Sequence, residues 1–168
     1  MPDDLSKRPI EIQAILKAQY RAGFSTLRQA IEKCPDELWG SSEGHAAAYW
    51  RIAFHALFFT HFYLQKDQQS MRLWPRQRGH PEQLDAPIDD MYSQADLLEY
   101  LDFCLRLLDD AIGDMDLSSH ECGFPWYKQG KLEHQITNIR HLQHHAAQLG
   151  DRLRSATSQG LDWLLESV

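Results

Sequence analysis

Segment 45–65 constrains the fold more than any other part of the chain. Its run AAAYWRIAFHALFFTHFYLQ carries Arg51 as the only formally charged side chain, so a helix here is apolar almost all round. Such a helix has to be enclosed by the rest of its own chain, by a second copy, or by a bilayer. The length suits a membrane span, but Arg51, His55, Thr60 and His61 interrupt the apolar run and no other segment resembles a span. The expectation is therefore a central bundle helix, with no membrane among the partners. Enclosure bears on His55 in particular, because an imidazole far from water is costly unless something binds it.

Three further segments read as long helices. In 9–34, Ile12, Leu16, Tyr20, Phe24, Leu27 and Ile31 share one face, Pro9 suits the first turn, and Cys34-Pro35 ends the helix. In 93–112, Ser93 is the N-cap, Leu97, Leu101, Cys104, Leu108 and Ile112 form the stripe, and Gly113 is the stop. In 131–155, Leu132, Ile136, Ile139, Ala146, Leu149 and Leu153 make the apolar face. Between them lie three loops: 35–44, where Ser41 or Ser42 can cap the next helix, the proline-bearing 66–91, and 114–130. Leu161, Trp163 and Leu164 suggest a short docked turn or helix after Gly160. No strand pattern competes, so residues 1–168 read as one all-α domain, a four-helix bundle with long loops after its second and third helices.

At 168 residues the chain can bury a core without disulfides or a structural metal. Its net charge of -7, from 24 acidic and 17 basic side chains, argues against nucleic acid as a partner. Cys34, Cys104 and Cys122 are odd in number and form no CxxC, and the first eight residues lack an apolar stretch. Both features lead to the expectation of a reducing, cytoplasmic setting.

Nine histidines is a high count, and His134, His141, His144 and His145 fall within twelve residues. His141 and His145, four apart on a helix, present two imidazoles on one face, one turn apart. His55 is the best third donor. Three protein ligands leave a fourth position open, as catalytic zinc sites do. Around the helix, His145 lies at the edge of the apolar stripe, His141 further round, and His144 furthest. The plainer alternative is that chance spacing made the pair and that His55 is a core residue bonded to a carbonyl. Carboxylate-bridged di-iron chemistry is excluded because no ExxH occurs.

The run Asn138-Ile139-Arg140-His141-Leu142-Gln143-His144-His145-Ala146-Ala147-Gln148-Leu149 resembles the last long helix of the DinB/YfiT-like superfamily, where an HxxxH pair is followed shortly by Gln-Leu. Trp50-Arg51-Ile52-Ala53-Phe54-His55 resembles the second-helix ligand of that family, and Pro35-Asp36-Glu37-Leu38-Trp39 its first-helix exit. The resemblance spans residues 12–155 in helix order. It implies an up-down-down-up four-helix bundle, often dimeric, with a divalent metal on His55, His141 and His145. It further implies thiol-dependent transfer or isomerisation of a small-molecule substrate, with a low-molecular-weight thiol as cofactor. The doubled His144-His145 leaves open which neighbour binds, and loop 66–91 has no counterpart.

Zinc suits three imidazoles best, with nickel and iron as alternatives. The other functional readings are a non-enzymatic, stress-related dimeric binding protein and a metal-dependent hydrolase without a thiol. The apolar girth of the second helix points to a homodimer. Arg72, Arg76, Arg78 and His80 are either a solvated loop or a clamp for carboxylates. His61 reads as a core or interface residue. His134 reads as exposed, with a role orienting a ligand imidazole as the alternative. Cys104 is a packed small hydrophobe, and Cys122, near His120, is a loop thiol.

Overall fold

The computed structural model describes residues 11–87 and 90–164; the first-turn role read for Pro9 lies outside them. The described residues are helical, without strands: α1 (Ile12–Glu32), α2 (Asp36–Trp39), α3 (Tyr49–Leu64), a 3₁₀ turn at Gln68–Ser70, α4 (Gln94–Gly113) and α5 (Lys131–Thr157). Each of α1 and α3 packs against both α4 and α5, so α1 and α3 face each other across a diagonal.

Four hydrogen bonds set the directions. Tyr49 at the start of α3 donates its hydroxyl to Ala30 O near the end of α1, at 2.9 Å. Gln94 at the start of α4 donates to Ile31 O and Cys34 O, at 2.8 and 2.7 Å. Lys33, just past α1, reaches Asp162 beyond the end of α5 at 3.0 Å. Helices α1 and α5 therefore run one way, and α3 and α4 the other. Because α3 and α4 are parallel, the chain between them has to travel back along the bundle, which is why loop 66–91 is long.

That loop is built into the core. Trp74 is buried and stacks on Tyr100 of α4, with ring centroids 4.7 Å apart and planes within 8°. Arg76 pairs with Asp96, at 2.5 Å, and with Glu99; Arg78 pairs with Asp90 at 3.0 Å and lies over the Tyr92 ring. The carboxylate clamp considered for these arginines is thus corrected for Arg76 and Arg78, since the chain's own acids hold them. Arg72 stays exposed.

No residue of α3 is exposed. Its girth is covered by the neighbouring helices and the two long loops, so it does not by itself call for a second copy. The helix begins at Tyr49 with Ala48 as N-cap, and neither Ser41 nor Ser42 caps it. Ser41 instead accepts from the Glu43 amide within a turn. Arg152 of α5 holds the approach by donating to Ala47 O and Ser41 O, at 3.0 and 2.8 Å. Loop 35–44 also contains α2, which seats Trp39 in the core with its indole N–H on Tyr92 O at 2.8 Å. In α4, Ser93 caps as expected and exchanges bonds with Asp96 in a reciprocal capping box, while Gly113 is the last helical residue rather than the stop.

Helix α5 departs most from its apolar pattern. Ile136 is 49% exposed and Leu132 and Ile139 are only half-buried. The face turned inward along its first half is Lys131, His134, Gln135, Asn138, Leu142 and His145. Lys131, Gln135 and Asn138 are tolerable there because each is bonded. Lys131 donates to Lys66 O at 2.8 Å, Gln135 donates to Tyr63 O at 3.0 Å and accepts from Tyr20 at 2.6 Å, and Asn138 donates to Thr60 O at 3.1 Å. A similar misplacement affects Ile12, 42% exposed at the start of α1.

His134 is fully buried, a correction to its reading as exposed. Loop 114–130 folds over it, and its ring sits among Tyr63, Phe124 and Tyr127 at centroid distances of 4.9, 5.1 and 4.9 Å. His61 is a core residue bonded to the Tyr100 hydroxyl at 3.0 Å. All three cysteines are free and buried, Cys104 in the core and Cys122 with its thiol on Phe124 O. After α5, residues 158–164 form no helix; Leu161 packs where a side chain on Gly150 would stand, and Trp163 is 84% exposed. Among the described residues no helix is long and apolar enough to cross a membrane.

Burial pushes His61 and His134 down to about 4. Both rings are neutral in the folded chain, whereas an unfolded histidine takes up a proton near pH 6.5. The unfolded state therefore binds more protons between pH 6.5 and 4, and stability is expected to fall as pH drops through that window. Urea midpoints at pH 7 and pH 5 measure the fall. His134→Phe, which removes two ring nitrogens without protein partners, is expected to raise stability at pH 7 by about 1 kcal/mol and to make the fall smaller.

Candidate metal centre

The register of α5 against α3 builds this site. Gln135 meets the carbonyl of Tyr63, and Asn138 meets that of Thr60. Three residues forward on α5 correspond to three residues back on α3, as antiparallel helices require. One turn further along, His141 and His145 bracket the level of His55.

Their Nε2 atoms converge. His141 Nε2 lies 3.3 Å from His55 Nε2 and 3.1 Å from His145 Nε2. One ligand atom from each of the three lies within 4.8 Å of the others, and the cluster contains no carboxylate or thiol. Ligands about 2.0–2.1 Å from a tetrahedral zinc stand about 3.3 Å apart, so the spacing fits one ion. His144, the alternative ligand, points outward and is exposed, with its ring against that of His145.

The outer ring nitrogens decide which atoms are free to bind. His55 Nδ1 is 2.7 Å from Glu82 O, and a carbonyl only accepts, so the proton is on Nδ1 and Nε2 carries the lone pair. His145 Nδ1 is likewise 3.1 Å from Gln148 Oε1. His141 Nδ1 is buried without a protein partner. With the His141 proton on that Nδ1, three Nε2 lone pairs face one another, an arrangement that repels by itself and that a cation between them would stabilise. Burial holds all three imidazoles below their usual range, His141 to about 3 and His145 to about 4, with the neighbouring imidazoles adding to the effect at His141 and His145 and Glu82 opposing it at His55. The neutral, ligand-competent form is therefore the resting one.

Glu82 was not legible in the sequence as part of a site. It comes from loop 66–91, is 6% exposed, and brings its backbone carbonyl to His55 and its carboxylate to His80 at 3.1 Å. A backbone contact carries no side-chain signal. Gln148 was visible, three residues after His145 on the same helix. Phe59, one turn after His55, sets its ring 4.7 Å from His55 and 5.8 Å from His141.

Compared with protein-family models, with curated proteins and with solved structures, the chain gives no match.

Gln148 is exposed, so Gln148→Ala should leave folding intact while freeing the His145 ring. Zinc affinity, measured by competition with a chromogenic chelator, is expected to fall by about tenfold or more. Unchanged affinity would show that the Gln148 contact does not orient the ligand.

Proposed function

We propose that the chain is a metal-dependent enzyme of the DinB/YfiT-like type, in which His55, His141 and His145 hold one divalent ion. The convergence of three Nε2 atoms, two of them committed as lone pairs by Glu82 O and Gln148 Oε1, carries this reading. The up-down-down-up run of the long helices supports the likeness to that family. Zinc is preferred for an all-imidazole set, with nickel and iron next.

A bound divalent ion supplies a Lewis acid with an open position, at which a water or thiol loses its proton more readily. The chain's residues prepare for that. Burial keeps the imidazoles neutral, Glu82 O and Gln148 hold two rings in place, and Phe59 shields the side facing α3. Thiol transfer to an electrophilic small molecule, or isomerisation through a thiol adduct, comes from the resemblance. The thiol would be a separate molecule, because Cys34, Cys104 and Cys122 are buried and lie outside the cluster. A homodimer belongs to the same proposal. Ile12 and Ile15 on α1 and Ile136 on the neighbouring α5 are the exposed apolar residues a second copy would cover.

Elemental analysis of tag-free protein, beside His55→Ala and His145→Ala, is the first test. About one metal per chain is expected, lost in both variants. Absence of metal with no uptake of added zinc or nickel would overturn the reading. Loss of an electrophilic test substrate that requires both metal and added thiol supports the transferase, whereas loss without thiol indicates a hydrolase. Light scattering is expected to show a dimer, converted to monomer by Ile136→Lys.

A further inference from the structure

A cavity of about 940 Å³ opens on a different face of α3, and none of the three clustered histidines lines it. It lies between the second halves of α3 and α4, walled by the loops that follow each and closed below by Lys131 at the start of α5. His61 stands six residues after His55, which turns it well round the helix axis, and the two sites do not share a wall residue. The volume falls in the range of small-molecule pockets, which are usually apolar with a few placed polar groups.

The walls have that character. Leu64, Leu73, Phe103, Leu107 and Met115 supply apolar surface, and Leu73 is 52% exposed at the mouth. One wall residue carries an uncommitted polar atom. His61 is 1% exposed, its Nδ1 is bonded to Tyr100, and its Nε2 has no partner.

The charges facing the cavity are unequal. Five acidic side chains line it against three basic ones. Of the basic three, Lys131 is buried with its ammonium on the carbonyls of Lys66 and Cys122. Asp110, Asp114 and Glu121 are exposed residues of its lining. The ring of His61 stays neutral, since burial pushes it down to about 4, so it adds no charge against a cation.

We propose that this cavity binds a small organic cation, with an apolar body among Leu64, Leu73, Phe103 and Leu107 and an ammonium group facing Asp110 and Asp114. The inference stands independently of the metal centre. It adds a second small-molecule site on a different face of α3.

Dansylcadaverine provides the probe, because it joins an aromatic body and a sulfonamide to a primary ammonium group; its N-acetylated form is the neutral control. Titrated into the full chain and followed by dansyl fluorescence, the cation is expected to bind saturably at a single site. The neutral form should bind about tenfold more weakly, as should the cation to the Asp110→Asn/Asp114→Asn variant. Leu73→Ser, at an exposed position, should weaken both forms. His145→Ala should leave binding unchanged. The inference is overturned by no saturable binding up to about 1 mM, the weak end of specific affinity. Equal affinity for the two forms, indifference to the aspartate changes, or loss of binding in His145→Ala would overturn it as well.

Discussion

The seam between α3 and α5 governs the molecule. Two carboxamides on α5, Gln135 and Asn138, donate to carbonyls on α3, and both also bond the Tyr20 hydroxyl of α1. These are buried bonds in a low-dielectric setting, where an unmade partner is costly and register is correspondingly well specified. Sliding α5 by one turn would orphan several of these groups together. Holding that register brings two histidines of one helix to the level of a histidine on the other. The network that costs α5 its apolar face is the same one that places the cluster.

The long loops complete what the helices begin. Loop 66–91 exists because α3 and α4 run parallel, but it is also the cover of α3 and the source of the carbonyl that fixes the His55 ring. Loop 114–130 buries His134 and walls the cavity beside His61. Consequently α3 presents two histidines and a tyrosine to three different surroundings. His55 faces the cluster, His61 the cavity, and its neighbour Tyr63 the buried ring of His134.

Much of this was legible beforehand. The stripes of α1 and α4 are apolar and periodic, and the Ser93 cap is a local device that needs no tertiary partner. The order of the three neighbouring histidines on α5, with His145 innermost and His144 outermost, followed from angle alone. The inward face of α5 departs from its apolar pattern in the first half, because the buried stripe there is made of Lys131, His134, Gln135 and Asn138, which carry no apolar periodicity. Its Lys131, Gln135 and Asn138 are accommodated because carbonyls from elsewhere in the chain meet them. His134 was misplaced for the same reason, since the aromatic residues that enclose it come from α3 and from a loop. Arg76 and Arg78 looked available because their acidic partners lie well along the chain.

The sequence alone determined the all-helical class, the near positions of the four long helices and the donor types on α3 and α5, since periodicity, capping and side-chain chemistry act locally. Tertiary structure decided which nitrogen of each imidazole faces inward, that Glu82 supports His55, that α3 is enclosed by its own chain, and that a second cavity opens beside His61. Each of those depends on atoms distant in the chain meeting across a packed interface, where helix direction and register, rather than residue type, set the distances.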